Sequence, residues 1–254
     1  MKKTLIAACV AVASAAAFAG INNVVISFST PGPDKYSDGM PVIDGERYAL
    51  VWTPEGSEFA GVKSDGTAEG DSKVVIAAPV AKDGCCLRVL FQVDEDYAAK
   101  TYPGGTWSVV MLDTRVFVLD ADGKPVVDAA TGLRAVKSCG AAGVANSYGV
   151  VGSAKAAKGG ELGIAAGGVA ASSASPVADA PAPVVKGISV DGDYVYVTIT
   201  STKPAFKYTL ETGATPDSIS EKADADAGFG SETKDIILVS PKKAGGEFFK
   251  VNCK

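Results

Sequence analysis

Residues 187–200, GISVDGDYVYVTIT, decide the fold class. Beyond the pair Asp191-Gly192, Tyr194, Tyr196, Thr198 and Thr200 alternate with Val195, Val197 and Ile199. A period of two sends these two sets to opposite faces of a strand. Asp-Gly supplies the positive φ of a tight turn, so residues 187–190 and 193–200 are expected to pair as a hairpin.

The same pattern recurs on both sides of this stretch. Downstream, strands are expected at 206–211, 235–239 and 247–252, with 212–234 as a long polar loop. Upstream, Val24, Ile26 and Phe28 alternate with Val25, Ser27 and Ser29. Short apolar runs follow at 47–52, 73–78, 87–93, 107–112 and 115–119, each bounded by Gly, Pro, Asp or Ser. A single helical turn is expected at 94–100, where acidic residues crowd the start. Closely spaced strands with turn residues between them point to sandwiches or barrels and not to βαβ units.

Composition changes near Ser153. Residues 153–185 are almost entirely Ala, Gly, Ser, Pro, Val and Lys, with Gly159-Gly160, Gly167-Gly168 and Pro181-Ala182-Pro183 among them. Such a segment buries little surface to offset its ordering entropy and is expected to be a flexible linker. The expected architecture is therefore all-β: two β-sandwich-like domains, residues 20–152 and 186–254, joined by a linker at 153–185.

One stretch in the first unit and two in the second carry a family resemblance. Pro103-Gly104-Gly105-Thr106-Trp107-Ser108-Val109-Val110 is similar to the turn and aromatic-led strand late in immunoglobulin-like and fibronectin-like modules of secreted bacterial proteins. The 187–200 hairpin, with Glu247-Phe248-Phe249-Lys250-Val251, carries the resemblance in the second unit. The chain departs from true immunoglobulin domains because Trp52 precedes Cys85 and Cys86 instead of lying between two cysteines. The ending Lys250-Val251-Asn252-Cys253-Lys254 resembles C-terminal sorting domains. Gly246-Glu247-Phe248-Phe249 lies closer to the end than such domains place their glycine-aromatic motif.

Residues 1–19 read as a signal peptide. Lys2 and Lys3 precede an apolar run over 4–16, and Ala17-Phe18-Ala19 supplies the small-x-small cleavage pattern, leaving Gly20 as the new N-terminus. The alternative is a lipoprotein box at Ile6-Ala7-Ala8-Cys9, which leaves too short an apolar stretch before Cys9. The mature protein is expected in the periplasm, at the cell surface or outside the cell. After signal removal no segment is apolar enough to span a bilayer as a helix. The net charge of −5, without a basic cluster, argues against nucleic acid as a partner.

The chain contains no histidine. This removes histidine triads, histidine metal sites and histidine pH switches. Two S-x-x-K matches remain, Ser231-Glu232-Thr233-Lys234 and Ser240-Pro241-Lys242-Lys243, without the further motifs of serine-lysine enzymes. A glycosidase pair would have to come from Asp94, Glu95, Asp96, Asp113, Asp120 and Asp122, which read as turn and surface residues. Asp120/Asp122 and Asp224/Asp226 have the i, i+2 spacing of weak calcium sites, without a full EF-hand loop. No cofactor is expected.

Cys85, Cys86, Cys139 and Cys253 are candidates for disulfides in an oxidising compartment. Neighbouring residues would form a strained ring, so Cys139 is expected to pair with one of Cys85 and Cys86, and Cys253 with the other; the alternatives are a Cys253 link to another molecule and free, partly buried thiols. Tyr97, Tyr102 and Trp107, and Tyr194, Tyr196 and Tyr208, could form stacking surfaces or core pairs. These observations suggest a non-catalytic exported protein whose β-modules bind a protein, glycan or envelope component. The alternatives are an adhesin-like structural subunit, with its C-terminal module used for sorting or anchoring, and a carboxylate hydrolase.

Overall fold

The structure is a computed structural model describing residues 23–30, 33–79, 81–86, 89–94, 99–140, 145–156, 160–165, 172–173, 182–219, 221–222, 228–243 and 247–253. The N-terminal sheets are built from β1 (Asn23–Ser29), β2 (Arg47–Thr53), β3 (Lys73–Pro79), β4 (Ala81–Lys82), β5 (Cys85–Cys86) and β6 (Val89–Asp94). To these are added β7 (Thr106–Asp113), β8 (Val116–Phe117), β9 (Val136–Ser138), β10 (Ser147–Lys155), β11 (Gly160–Ala165) and β12 (Ser172–Ser173). The C-terminal sheets comprise β13 (Val184–Asp191), β14 (Tyr194–Thr200), β15 (Lys207–Gly213), β16 (Glu221–Lys222), β17 (Gly228–Phe229), β18 (Ile236–Pro241) and β19 (Phe248–Cys253). The fold is all-β, as the alternation implies.

A three-stranded sheet, β11-β1-β6, faces a five-stranded sheet, β12-β10-β7-β2-β3. Ile26, Phe28, Phe91 and Ile164 of the first interleave with Tyr48, Leu50, Trp52, Val109 and Met111 of the second. The opposite face of the five-stranded sheet is also covered. There Ala49, Val51, Val110 and Leu112 pack with Val62, Ala68 and Ala145. Burial on both faces explains why β2, RYALVWT, is apolar without a break after Arg47 instead of alternating. Trp52, Phe91, Tyr102 and Trp107 form an edge-on aromatic cluster with centroids 5.1–6.5 Å apart. Each contact adds about 0.5–1.5 kcal/mol beyond its area. Tyr102 and Trp107 are thus core residues and no stacking surface.

The C-terminal sheets enclose a smaller core. Val195, Val197, Ile199, Ile236 and Leu238 of the sheet β13-β14-β18 meet Tyr208 and Leu210 of β15. β16 and β17 pair with the two ends of β15, and β19 runs along its length. The β13–β14 hairpin forms as expected, with its turn one residue later than Asp-Gly suggests. Asp191 pairs with Tyr194, so the central residues are Gly192 and Asp193, and only Gly192 takes a positive φ, +57°.

The linker expectation is corrected within the described residues. Ser153–Lys155 end β10 against β7, residues 160–165 form β11 in parallel register with β1, and Ser172–Ser173 pair with β10. Backbone pairing needs no large side chains, and Ile164 supplies a buried anchor opposite Phe28. Beyond Ala156, whose amide donates to the Gly105 carbonyl at 2.9 Å, the rest of that span up to residue 181 lies outside the described residues, as do residues 1–19. Of the helical expectation at 94–100, residues 99–101 are helical, Asp94 ends β6, and 95–98 lie outside the described residues. The 115–119 strand shortens to β8, paired with β9. β9 to β12 carry no clear alternation and were missed.

The disulfide expectation is also corrected: Cys85, Cys86, Cys139 and Cys253 are all thiols. Cys139 turns toward a buried carboxylate, donating to Glu46 Oε2 at 3.1 Å, with the Tyr36 hydroxyl at 3.5 Å. Burial and the Glu46 charge push its pKa up to about 12. Cys86 is buried in the sandwich core while Cys85 points the other way and is half-buried, as neighbours on a strand must. Cys253 is exposed near the end of β19.

Candidate functional site

The N-terminal and C-terminal sheets meet through polar contacts. The segment 231–234, expected as part of a polar loop, runs beside β3. Ser231 Oγ donates to the Val75 carbonyl at 3.0 Å, and the Glu232 amide to the Val74 carbonyl at 3.2 Å. Glu232 Oε2 accepts from the amides of Ala68 and Val74 at 2.8 and 2.7 Å. The Tyr102 hydroxyl donates to Thr233 Oγ1 at 2.9 Å. Beside this segment Arg47, wholly buried, stacks on Phe229 and donates to the carbonyls of Pro204 and Ala205. Desolvation pulls the Arg47 pKa down to about 9. Gly66, at φ +78°, brings the two sets together most closely, since a Cβ there would sit 2.5 Å from the Ala205 nitrogen. Only glycine fits that approach.

This junction frames a cleft of about 780 Å3 lined by Thr67, Lys186, Thr200–Lys203 and Ser231–Asp235. Two of its lysines are neutralised. Lys186 Nζ lies 2.5 Å from Asp235 Oδ2, and Lys203 Nζ lies 3.2 Å from Asp65 Oδ2. Burial would raise the Asp65 pKa, but hydrogen bonds from Thr67 and Lys203 leave it below the usual carboxylate value. Lys234 is different. Its ammonium lies 5.9 Å from the Phe91 ring centroid and has no carboxylate partner among the described residues. Burial lowers its pKa. Ser201, on the cleft wall, is a non-glycine residue with φ +58°, a conformation shared among the described residues only by Asp83. Strain of this kind is often kept at ligand sites.

The structure separates most residues singled out by the sequence. In Ser231-Glu232-Thr233-Lys234 the serine hydroxyl is committed to a backbone carbonyl and to Thr233 Oγ1, and the lysine reaches toward Phe91. Ser240 Oγ donates to the Pro241 carbonyl. Asp113 is held by Arg115 through bonds of 2.8 Å to Nε and Nη2. Arg115 also meets Asp38 at 2.9 Å and stacks over Tyr36. Asp120 Oδ1 accepts from the amides of Asp122 and Lys124, which is turn chemistry, and both aspartates are exposed. Asp224, Asp226, Glu95, Asp96 and Tyr97 lie outside the described residues. No cluster of three metal-ligating side chains occurs among the described residues. Tyr208 is buried, whereas Tyr194 is exposed. The cleft itself was missed, because its walls come from segments more than a hundred residues apart in sequence.

No helix among the described residues is long and apolar enough to cross a membrane, which says nothing of a β-barrel. No protein-family model matches the sequence, and no curated protein matches it. Among solved structures, the chain is similar to a candidate carbohydrate-binding protein from Bacteroides uniformis, at 9% identity and TM-score 0.22, covering 92% of this chain and 90% of that one. A DUF3823 family protein from Bacteroides ovatus matches at 11% identity and TM-score 0.20, over 90% of each chain. A marsupial T cell receptor matches at 11% identity and TM-score 0.19, over 90% of this chain and 94% of that one. At such TM-scores these likenesses carry no argument about function.

Proposed function

We propose that the protein is an exported, non-catalytic binding protein whose ligand is anionic and rich in hydroxyls, such as an acidic glycan, held in the cleft at the junction of its sheets. The observation that carries this reading is Lys234, a half-buried ammonium without a counter-charge among the described residues, in a wall where Lys186, Lys203, Glu232 and Asp235 are otherwise engaged and Thr and Ser hydroxyls make up the rest. A carboxylate on the ligand would supply that counter-charge, and the threonine and serine groups would exchange hydrogen bonds with ligand hydroxyls. The commitment of Ser231 Oγ to the Val75 carbonyl supports binding over serine-lysine hydrolysis.

Calorimetry with a uronic-acid oligosaccharide and its neutral counterpart tests the reading. The acidic sugar binds and the neutral one binds at least about tenfold more weakly, a difference near 1.4 kcal/mol. Lys234→Met removes the preference. Because the Lys234 pKa is lowered, the preference fades as pH rises, at a lower pH than an ordinary lysine would give. Equal affinity for both sugars, or none for either, overturns the reading.

A further inference from the structure

We infer that β13 is the interface of a two-fold homodimer in which its free edge pairs with the same strand of a second copy. All eight residues of β13 are exposed, and Val184, Val185, Ile188 and Val190 each keep 48–57% of their surface accessible. The register assigns Val185, Ile188 and Val190 to the same face as Ile199, Val197 and Val195, which line the C-terminal core. The apolar face of the sheet therefore runs past its covering layer and ends on an open edge. Natural edges are guarded by lysine, proline, bulges or brevity. β13 contains no proline, its only lysine is drawn back to Asp235 on its own sheet, and its irregularity at 185/187 leaves residues 187–191 regular.

The strand is complementary to itself. In an antiparallel pair centred on Ser189, Ile188 of one copy lies opposite Val190 of the other, twice over by symmetry, and Gly187 lies opposite Asp191. Partners across an antiparallel pair share a face, so the two apolar rows become one. Lys186, beside Gly187, comes diagonal to the partner's Asp191 at both ends, where its exposed ammonium exchanges the Asp235 bridge for that carboxylate, so opposite charges flank the apolar centre. An isologous contact of this kind closes at two copies. The inference goes beyond the cleft and does not depend on what the cleft binds.

Light scattering coupled to size exclusion, on the full chain across a dilution series, tests it. A concentration-dependent dimer that Val190→Lys and Ile188→Lys each convert to monomer supports the inference. These side chains are exposed, and a urea midpoint equal to that of the unmutated protein at a dilution where it too is monomeric confirms that each variant is folded. Hydrogen exchange on the unmutated protein is a second measurement, in which β13 amides slow as concentration rises while those of β19 do not. A monomer at every concentration, a dimer indifferent to both substitutions, or open-ended association overturns the inference. So does a monomer that captures an unrelated apolar strand peptide in preference to itself.

Discussion

β2 and β13 are strands of nearly equal length, each with four or more apolar residues and one basic residue, and they meet opposite fates. Every residue of β2, including Arg47, is buried, and every residue of β13 is exposed. The difference lies in their neighbours. β2 has β3 and β7 on its two edges and a packed layer over each face, whereas among the described residues β13 has β14 on one edge alone. Apolar side chains thus stabilise the fold in one place and leave a surface to be covered in the other. Strand propensity reports suitability for a pleated surface and is silent about which surface.

The largest expected effect tests this contrast directly. Leu50→Ala in β2 should cost about 2–5 kcal/mol, as a cavity in a close-packed core does. Ile188→Ala in β13 should cost less than about 1 kcal/mol in dilute protein, because little burial is lost. Urea unfolding of both variants measures the gap, and equal losses would break the comparison.

Next comes Arg47, the basic residue that β2 buries. Arg47→Ala should cost about 3 kcal/mol, since it strips the Pro204 and Ala205 carbonyls of their donor. Arg47→Met should recover part of that loss by filling the space without a buried charge. Lys186 is the counterpart on β13. Its bridge to Asp235 is exposed, and Lys186→Met should move the unfolding midpoint within experimental error.

A smaller effect separates charge from hydrogen bonding at the junction. Glu232→Ala should cost about 2 kcal/mol, by leaving the Ala68 and Val74 amides unpaired. Glu232→Gln keeps an acceptor and should cost less. Desolvation raises the Glu232 pKa, so the folded state holds this proton more tightly than the unfolded one. The associated stability is complete below the unfolded carboxyl pKa and is lost as pH rises through the folded one. Glu232→Gln should therefore gain on the unmutated protein as pH rises through that window, which chemical denaturation at several pH values would reveal. A constant difference would mean that Glu232 stays charged throughout.

The smallest effect belongs to Asp120→Ala, which removes the acceptor for two turn amides at an exposed site and should cost about 0.5 kcal/mol. A thermal melt with and without calcium would show the same loss in both if the side chain only shapes the turn.

The strands that alternate or run apolar, β1, β2, β3, β7, β14 and β18, were legible because side-chain period is a local property. β11 was not, since its pairing with β1 depends on backbone groups and its composition suits a linker equally well. The hydroxyls and lysines of the cleft were legible only as a polar loop and a bare S-x-x-K match. Whether Ser231 faces a lysine or the carbonyl of Val75 depends on how two sets of sheets dock, and no local pattern carries that. Cys139 shows the same limit: spacing allowed a disulfide, while the fold gave the thiol a carboxylate neighbour.

The parallel pairing of β1 with β11 also has a consequence in time. Val24 finds its partner only when Gly160, far downstream in the sequence, exists. At bacterial-to-eukaryotic elongation rates that interval is on the order of ten seconds. Until then β1 has β6 on one edge and an open row of amides and carbonyls on the other, so the sandwich cannot close before residues 160–165 have been made. Folding should be slow, as it is where distant segments must meet. A chain that stays open this long remains accessible to whatever must handle it unfolded.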